Sequence, residues 1–452
     1  MNMKQYLFSE ILAACGGQYF GDSALLSQAA TDIVIDSRSA KAGSLYVPYI
    51  GERLDGHDFI AAARENGAAL VISSRVLDIT PYILVPDTLR ALHDIARCYR
   101  NKFTIPVIGL TGSAGKTSTK DMVAAALSAR FRVMKTQGNL NNETGAALTI
   151  FTLDESHEVA VVEMGTNHFE EIGRIASFVQ PDFCLFTNIG LAHIENFGTR
   201  EGIFRGKTEM LEHMRPGGRI IANGDDDMLC TIPNALLYGL GNHCHVRGDE
   251  IEDLLLDGMR FTASYQGESF RMHVPSLGLH SVYNALCAVS VGLLLGMRFS
   301  ELAEGLASYQ PLPGRMNVHR LKRYTLIDDT YNANPTSVQA SVDVLEKCPG
   351  RRVCILGDMR ELGNESARLD EEIGRYVSER NIDVILCVGA ESERMFLGAL
   401  NASGNGSCCY YATQDALIQT LPEILTDGDT ILVKASRAMH LEQTAQFILS
   451  LD

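Results

Sequence analysis

The residues of this chain best suited to chemistry lie in one string, Gly109-Leu-Thr-Gly-Ser-Ala-Gly-Lys-Thr-Ser-Thr119. An apolar, strand-like run (105–110) leads into it, and a helix-like run (121–130) leaves it. In that setting the string is a phosphate cradle. Gly112 and Gly115 let the backbone turn tightly, so that the N–H groups from Gly112 through Ser113, Ala114, Lys116 and Thr117 to Ser118 face an anion at the positive end of a helix. Lys116 reaches the β- and γ-phosphates, and Thr117 offers its hydroxyl to Mg²⁺. The common form of this loop carries a glycine where Leu110 stands, so the motif here is the shorter G-x-x-G-K-T. The chemistry expected is binding of ATP or GTP.

The cradle needs a sheet to hold it, and 452 residues supply more than one core. The chain reads as three α/β segments: 1–104, 105–312 and 313–452. Short β-rich runs at 33–35, 45–47, 70–73 and 83–85 belong to the first. Runs at 132–136, 159–163, 183–187 and 219–222 follow the cradle, and runs at 324–328, 352–356, 384–388 and 430–433 follow the linker Pro311-Leu-Pro-Gly314. Strands alternating with helices predict a largely parallel sheet covered on both faces. Ligands of such sheets lie at the carboxyl ends of the strands.

Composition narrows the function. With 46% hydrophobic and 21% charged residues the chain is globular. A net charge of −16 argues against gripping nucleic-acid backbones. Its eleven cysteines contain no Cys-x-x-Cys pair and read as reduced thiols of a cytoplasmic protein. Ser9 and Glu10 interrupt the first apolar run, so no signal peptide is expected, and the near-apolar run 285–297 is too short to span a bilayer.

Several polar residues fall where the strands end. Glu163 and His193 follow successive strands, and both suit a metal held over phosphates, Mg²⁺ or Mn²⁺. Read alone, a Glu is usually a solvated surface residue and a His usually a structural one; their shared place after strands near the cradle favours the metal. Gly138-Asn-Leu-Asn-Asn-Glu-Thr-Gly145 is either a polar loop or the lining of a cleft. Lys207, in Phe204-Arg-Gly-Lys-Thr-Glu-Met210, reads alone as a surface lysine.

In order along the chain, G-x-x-G-K-T, G-N-x-N-N, E-M-G, A-H, G-K, N-A, G-R and D-D-x-Y-N-A-N-P resemble the Mur ligases, ATP-dependent amide-forming enzymes of peptidoglycan precursor synthesis. The match runs almost the whole length, and Asp328-Asp-Thr-Tyr-Asn-Ala-Asn-Pro335 resembles the branch that adds D-alanyl-D-alanine. Asp36-Ser37-Arg38, 43–47 and 51–59 resemble that branch's uridine-nucleotide domain, and 357–363 resembles its third-domain loop. The resemblance implies a P-loop ATPase domain between a UDP-substrate domain and a Rossmann-like third domain.

It also implies roles. Lys116 and Thr117 hold the ATP phosphates, Glu163 and His193 complete a Mg²⁺ shell, and Lys207, carbamylated by CO₂, serves a second Mg²⁺. Asn284 reads the adenine, Arg315 the phosphates and Asp329 the ribose, with Tyr331 and Asn332 against the nucleotide. Ser37, Arg38, Asn139, Asn141, Asn142 and Thr144 meet UDP-N-acetylmuramoyl-tripeptide, the acid partner of D-alanyl-D-alanine. Lys434-Ala-Ser-Arg437 departs from the family's K-G-S-R at Ala435, and Ser281 replaces a frequent asparagine. The implied enzyme is monomeric and forms an acyl phosphate. Two alternatives stand beside it: a sister ligase adding a diamino acid or glutamate, and a P-loop switch that joins nothing.

Overall fold

The computed structural model describes residues 3–51, 54–360 and 362–451. Glu52 and Arg53 of the 51–59 string and Glu361 of the 357–363 loop lie outside the described residues. The chain divides into two compact units, interleaved in sequence.

The first unit takes Met1–Thr111, Arg130–Phe186 and Arg205–Ile220. Its strands are β1 (Gln18–Phe20), β2 (Asp32–Val34), β3 (Ser44–Tyr46), β4 (Leu70–Ser73), β5 (Tyr82–Leu84), β6 (Val107–Thr111), β7 (Val133–Lys135), β8 (Val159–Glu163) and β9 (Phe183–Phe186). A five-stranded sheet runs in the order β1-β5-β4-β3-β2, parallel throughout except for β1. The expected runs are all present, three of them one residue earlier than read; β1 was not anticipated. A second set, β9-β6-β8-β7, is wholly parallel. Every residue of β6, β8 and β9 is buried, as strands covered on both faces must be. The register sets Leu110 of β6 beside Glu163 of β8, so the end of the cradle's strand and the acid share one carboxyl edge.

The helix Thr88–Arg100 shows how local sequence anchors this unit. Asp87 caps it, accepting from the N–H groups of Leu89 and Arg90, and Ala91, Leu92, Ile95, Ala96 and Tyr99 recur at helical spacing on its buried face. It ends on Arg100, which is fully buried. Its guanidinium donates to the carbonyls of Val179 and Phe103 and to Asp182, whose carboxylate also accepts the N–H of Val107 at the start of β6. Burial lowers the Arg100 pKa to about 10, with Arg215 adding to the effect and Asp182 opposing it. Desolvation therefore outweighs the pairing.

The second unit takes Gly112–Ala129, Thr187–Phe204 and Ile221–Asp452. It opens with the cradle and its helix, Lys116–Ser128, against which the helices Leu279–Leu294 and Phe299–Ala307 pack. Next come β10 (Arg219–Asn223), β11 (Leu236–Gly239), β12 (Val246–Asp253), β13 (Met259–Tyr265) and β14 (Glu268–Val274), ordered β14-β13-β12-β11-β10. The last three form an antiparallel meander at the edge of the sheet, which was expected to be largely parallel. In β13, Met259, Phe261 and Ala263 point inward between half-buried neighbours, the alternation of a sheet wetted on one face.

Beyond the linker lie β15 (Asn317–Arg320), β16 (Thr325–Asp329), β17 (Arg352–Gly357), β18 (Val384–Val388), β19 (Ser407–Tyr411) and β20 (Thr430–Lys434), ordered β15-β16-β20-β17-β18-β19. All neighbours are parallel except β15 and β16. One apolar cluster covers each face. The last strand in sequence inserts between β16 and β17, so the loops after β16 and β20 emerge side by side, where α/β sheets bind ligands. Among the described residues no helix is long and apolar enough to cross a membrane.

Replacing Arg100 with methionine leaves two carbonyls and Asp182 without their cation. It is expected to cost about 3 kcal/mol, read as a lower urea midpoint by circular dichroism, since the chain has no tryptophan. An unchanged midpoint would refute this anchoring role.

Candidate active site

The cradle is built by exclusion of side-chain volume. A Cβ on Gly112 would lie 1.8 Å from Thr187 Oγ1, so no other residue fits. Gly115 takes φ +75°, the left-handed conformation that glycine adopts freely, and hands the chain to the helix Lys116–Ser128. The loop is pinned from the segment after β9: Ser113 N–H donates to the Asn188 carbonyl (3.0 Å), Ala114 N–H to Asn188 Oδ1 (2.9 Å), and Thr187 Oγ1 to the Ala114 carbonyl (2.8 Å). Ser113 Oγ is buried with no hydrogen-bond partner in the protein, which suits a group meant for an anion's oxygens.

Residues far apart in sequence converge on this loop within the second unit. Lys116 Nζ donates to the Gly112 carbonyl at 2.8 Å. Thr117, 4% exposed, accepts at Oγ1 from the Arg315 guanidinium (3.2 Å). Arg315 in turn lies 4.0 Å over the Tyr331 ring, with Arg437 5.7 Å from the same ring. Asn284 Oδ1 accepts from Thr119 Oγ1 at 2.9 Å and stands 3.6 Å from where a Gly115 Cβ would be. Ser118 sits half-buried on the first turn of the helix.

At the end of β16, Asp329 and Lys434 form a buried ion pair of 2.5 Å. Asp329 also accepts from Ser341 Oγ (2.7 Å) and the Met316 N–H (3.2 Å), while Lys434 donates to the Asn332 carbonyl (3.0 Å). Desolvation holds His280 below the usual imidazole value; the Lys434 ammonium adds to this and Asp329 opposes it. The string Asp328–Pro335 thus divides its work. Asn334 caps the helix Pro335–Lys347, with Pro335 in its first turn, while Asp329 and Tyr331 face Lys434 and Arg315.

In the first unit, Glu163 is fully buried and accepts from Asn141 Nδ2 (2.8 Å); its N–H donates to Thr136 Oγ1 (3.0 Å). Asn141 also donates to Asn139 Oδ1 (2.8 Å), so this part of the amide-rich loop folds onto the acid. Asn142 instead caps the helix Glu143–Phe151 through the Gly145 N–H (2.8 Å) and accepts from Thr144 Oγ1 (3.2 Å). Lys207 is 1% exposed on the helix Arg200–Thr208, so the surface reading of this lysine does not hold. Asp36 caps a short turn and pairs with Arg38, which holds its carboxyl below the ordinary range; Ser37 is buried and its carbonyl accepts from Asn66.

Of the four expected metal ligands, Glu163 and Lys207 belong to the first unit, and Thr117 and His193 to the second. His193 adopts φ +61° and precedes the short helix Ile194–Phe197. Sequence reasoning gave no role to Thr187, Asn188 or Thr119, and quoted Lys434 only as part of a string. A polar Thr-Asn pair ending an apolar strand was the available signal for the first two.

Three family models match the chain: the Mur ligase family catalytic domain over residues 30–136, the Mur ligase middle domain over 110–292, and the Mur ligase glutamate ligase domain over 314–437. UDP-N-acetylmuramoyl-tripeptide–D-alanyl-D-alanine ligase of Bacillus subtilis is 34% identical over 92% of this chain and 93% of its own. The Escherichia coli protein of the same name is 34% identical over 92% of each. A crystal structure of MurF from Acinetobacter baumannii superposes with a TM-score of 0.92 at 32% identity, covering 99% of this chain and 100% of that one. MurF ligase from Thermotoga maritima in complex with ADP gives 0.84 at 28% identity, covering 93% and 97%. With matches of this extent, and a phosphate loop of the kind an ATP-dependent ligase requires, the chain belongs to the Mur ligase family.

Proposed function

We propose that this Mur ligase joins D-alanyl-D-alanine to UDP-N-acetylmuramoyl-tripeptide, converting ATP to ADP and phosphate. The observation that carries the reading is likeness over more than nine-tenths of its length to relatives bearing that name, in a chain that holds the Asp328–Pro335 string. The work divides among 1–104 for the UDP-substrate, 105–312 for ATP and 313–452 for the amine and further nucleotide contacts. The enzyme acts as a monomer in the cytoplasm, where its eleven unpaired thiols stay reduced.

A carboxylate does not condense with an amine unaided, because oxide is a poor leaving group. The tripeptide's terminal carboxylate therefore attacks the γ-phosphorus of ATP. Lys116 and Arg315 offset the charge of the transferring group, and the N–H groups from Gly112 to Ser118 hold the phosphates behind it. The amine of D-alanyl-D-alanine then adds to the acyl phosphate, and phosphate departs from the tetrahedral intermediate. Asn284 and Asp329 take the adenosine, with Tyr331 and Asn332 alongside. Ser37, Arg38, Asn139, Asn141, Asn142 and Thr144 meet the muramoyl-peptide; Asn142 also caps the helix Glu143–Phe151, and Thr144 donates to that cap.

By chemistry alone, the buried Glu163 carboxylate, the Thr117 hydroxyl and the His193 imidazole are groups that a divalent cation such as Mg²⁺ or Mn²⁺ accepts. When bound, Mg²⁺ or Mn²⁺ neutralises charge on the phosphate oxygens. Lys207 acts as a carbamate, its neutral amine having taken up CO₂ to present two further oxygens. Support comes from its burial and from the cation's preference for oxygen.

Phosphate release from ATP is expected only when both the muramoyl-tripeptide and the amine are supplied. D-alanyl-D-alanine should far outperform free D-alanine, L-lysine, meso-diaminopimelate or glutamate, because a single amino acid leaves amide and carboxylate partners unpaired at about 1–3 kcal/mol each. Product mass decides: a gain of one amino acid at similar efficiency points to a sister ligase, and turnover without either substrate to a nucleotide switch.

Lys207→Ala is expected to lower kcat at least about a hundredfold, with partial recovery in added short-chain carboxylates. Normal turnover by Lys207→Arg, which keeps the charge but cannot be carbamylated, would contradict the carbamate.

A further inference from the structure

We propose that Asp225, His243 and Cys244, on the loops after β10 and β11, form a binding site for a thiophilic divalent cation of the Zn²⁺ class, separate from the metal ligands of the ATP reaction. One ligand atom from each of the three lies within 4.8 Å of the others. Asp225 Oδ1 stands 3.8 Å from Cys244 Sγ and 3.9 Å from His243 Nε2. Zinc bonded tetrahedrally to sulfur, nitrogen and oxygen at its usual lengths separates those atoms by about 3.3–3.6 Å. Asp225 Oδ1 therefore needs to draw in by only about 0.3–0.6 Å toward Cys244 Sγ and His243 Nε2.

The surroundings keep space for them. A Cβ on Gly224 would fall 2.6 Å from Cys244 Sγ, one on Gly239 2.6 Å from Asp225 Oδ2 and 2.9 Å from Cys244 Sγ, and one on Gly241 2.7 Å from both Asp225 Oδ1 and His243 Nδ1. Three glycines, Gly224 beside Asp225, Gly239 at the end of β11 and Gly241 two residues on, thus leave the room beside the donors unfilled. The carboxylate is oriented from behind: Asp225 Oδ2 accepts from the Leu240 N–H (2.6 Å) and Tyr283 Oη (2.9 Å), and Oδ1 from the Gly241 N–H (3.0 Å). Outer partners of this kind fix the ligands of metal sites.

The donor types choose the ion. A thiolate with one nitrogen and one oxygen suits Zn²⁺ and its borderline-soft neighbours, whereas Mg²⁺, bound mostly through oxygen, gains nothing from sulfur. Cys244 is buried and its S–H points at Asp225 Oδ1; burial, with the carboxylate adding, raises this thiol to about 11. On binding, the S–H bond breaks, a metal–sulfur bond forms in its place, and the proton leaves to solvent. His243 Nε2 gives up its 2.7 Å contact with the Gly224 carbonyl and ligates as the Nδ1–H tautomer. The His243 side chain is 56% exposed, so a water can complete the tetrahedron.

The site bears on the ATP-binding elements through Tyr283, which precedes Asn284, the residue tied to Thr119. Occupancy would fix the N-terminal half of the helix Leu279–Leu294 against the β10 and β11 loops.

The test titrates the full-length protein with Co²⁺ as a spectroscopic stand-in for Zn²⁺, in excess Mg²⁺. One equivalent should give a sulfur-to-cobalt charge-transfer band in the near ultraviolet, displaced by Zn²⁺. Cys244→Ser should abolish the band, and His243→Ala and Tyr283→Phe should each weaken binding by about 10- to 100-fold. Nucleotide binding by each variant, measured without Co²⁺, shows that it is folded. No band in the wild-type protein, or a band that survives Cys244→Ser, overturns the site.

Discussion

The second unit is organised around a volume constraint: there is no space for a side chain between the turn at Gly112 and Thr187 Oγ1. That contact lets Asn188 hold the amides of Ser113 and Ala114, so the protein's own hydrogen bonds set the shape of the loop. Such preorganisation matters more in a chain of net charge −16, whose long-range field repels the triphosphate it must bind. Aligned N–H groups at a helix start act at contact distance, where the global charge is screened. Thr117 extends the constraint beyond the linker, because its hydroxyl receives Arg315, and Arg315 needs the face of Tyr331 to lie where it does.

The buried pair of Asp329 and Lys434 serves position more than stability. Ion pairs of this kind recover little beyond their desolvation cost, yet losing one partner is expensive. Here each partner has further bonds, Asp329 to Ser341 and the Met316 N–H, Lys434 to the Asn332 carbonyl. The loops after β16 and β20 are thereby locked together, with Tyr331 and Asn332 held between them. The strand order makes this possible, since β20 enters the sheet beside β16 although 105 residues separate Asp329 from Lys434.

Much of this was legible in the sequence because parallel strands buried on both faces are continuous apolar runs; β4, β8 and β18 match their runs residue for residue. The meander β12–β14 escaped notice because charged residues such as Asp249 and Glu252 interrupt it, with a bulge between them. Within the site, Gly112, Gly115, Lys116 and Thr117 announce themselves by spacing, since one local turn defines what they do. Lys207 does not: its burial depends on packing that no local pattern encodes, and only the family resemblance singled it out. Thr187 and Asn188 were hidden for a similar reason, as their partners lie some seventy residues earlier.

The central claim is that the loop and Arg315 hold a phosphoryl group while a carboxylate oxygen attacks it. Muramoyl-tripeptide labelled with ¹⁸O in its terminal carboxylate, incubated with ATP and D-alanyl-D-alanine, tests this through the mass of the phosphate released. One labelled oxygen in each phosphate is the predicted result. Unlabelled phosphate, formed alongside the joined product, would contradict the account.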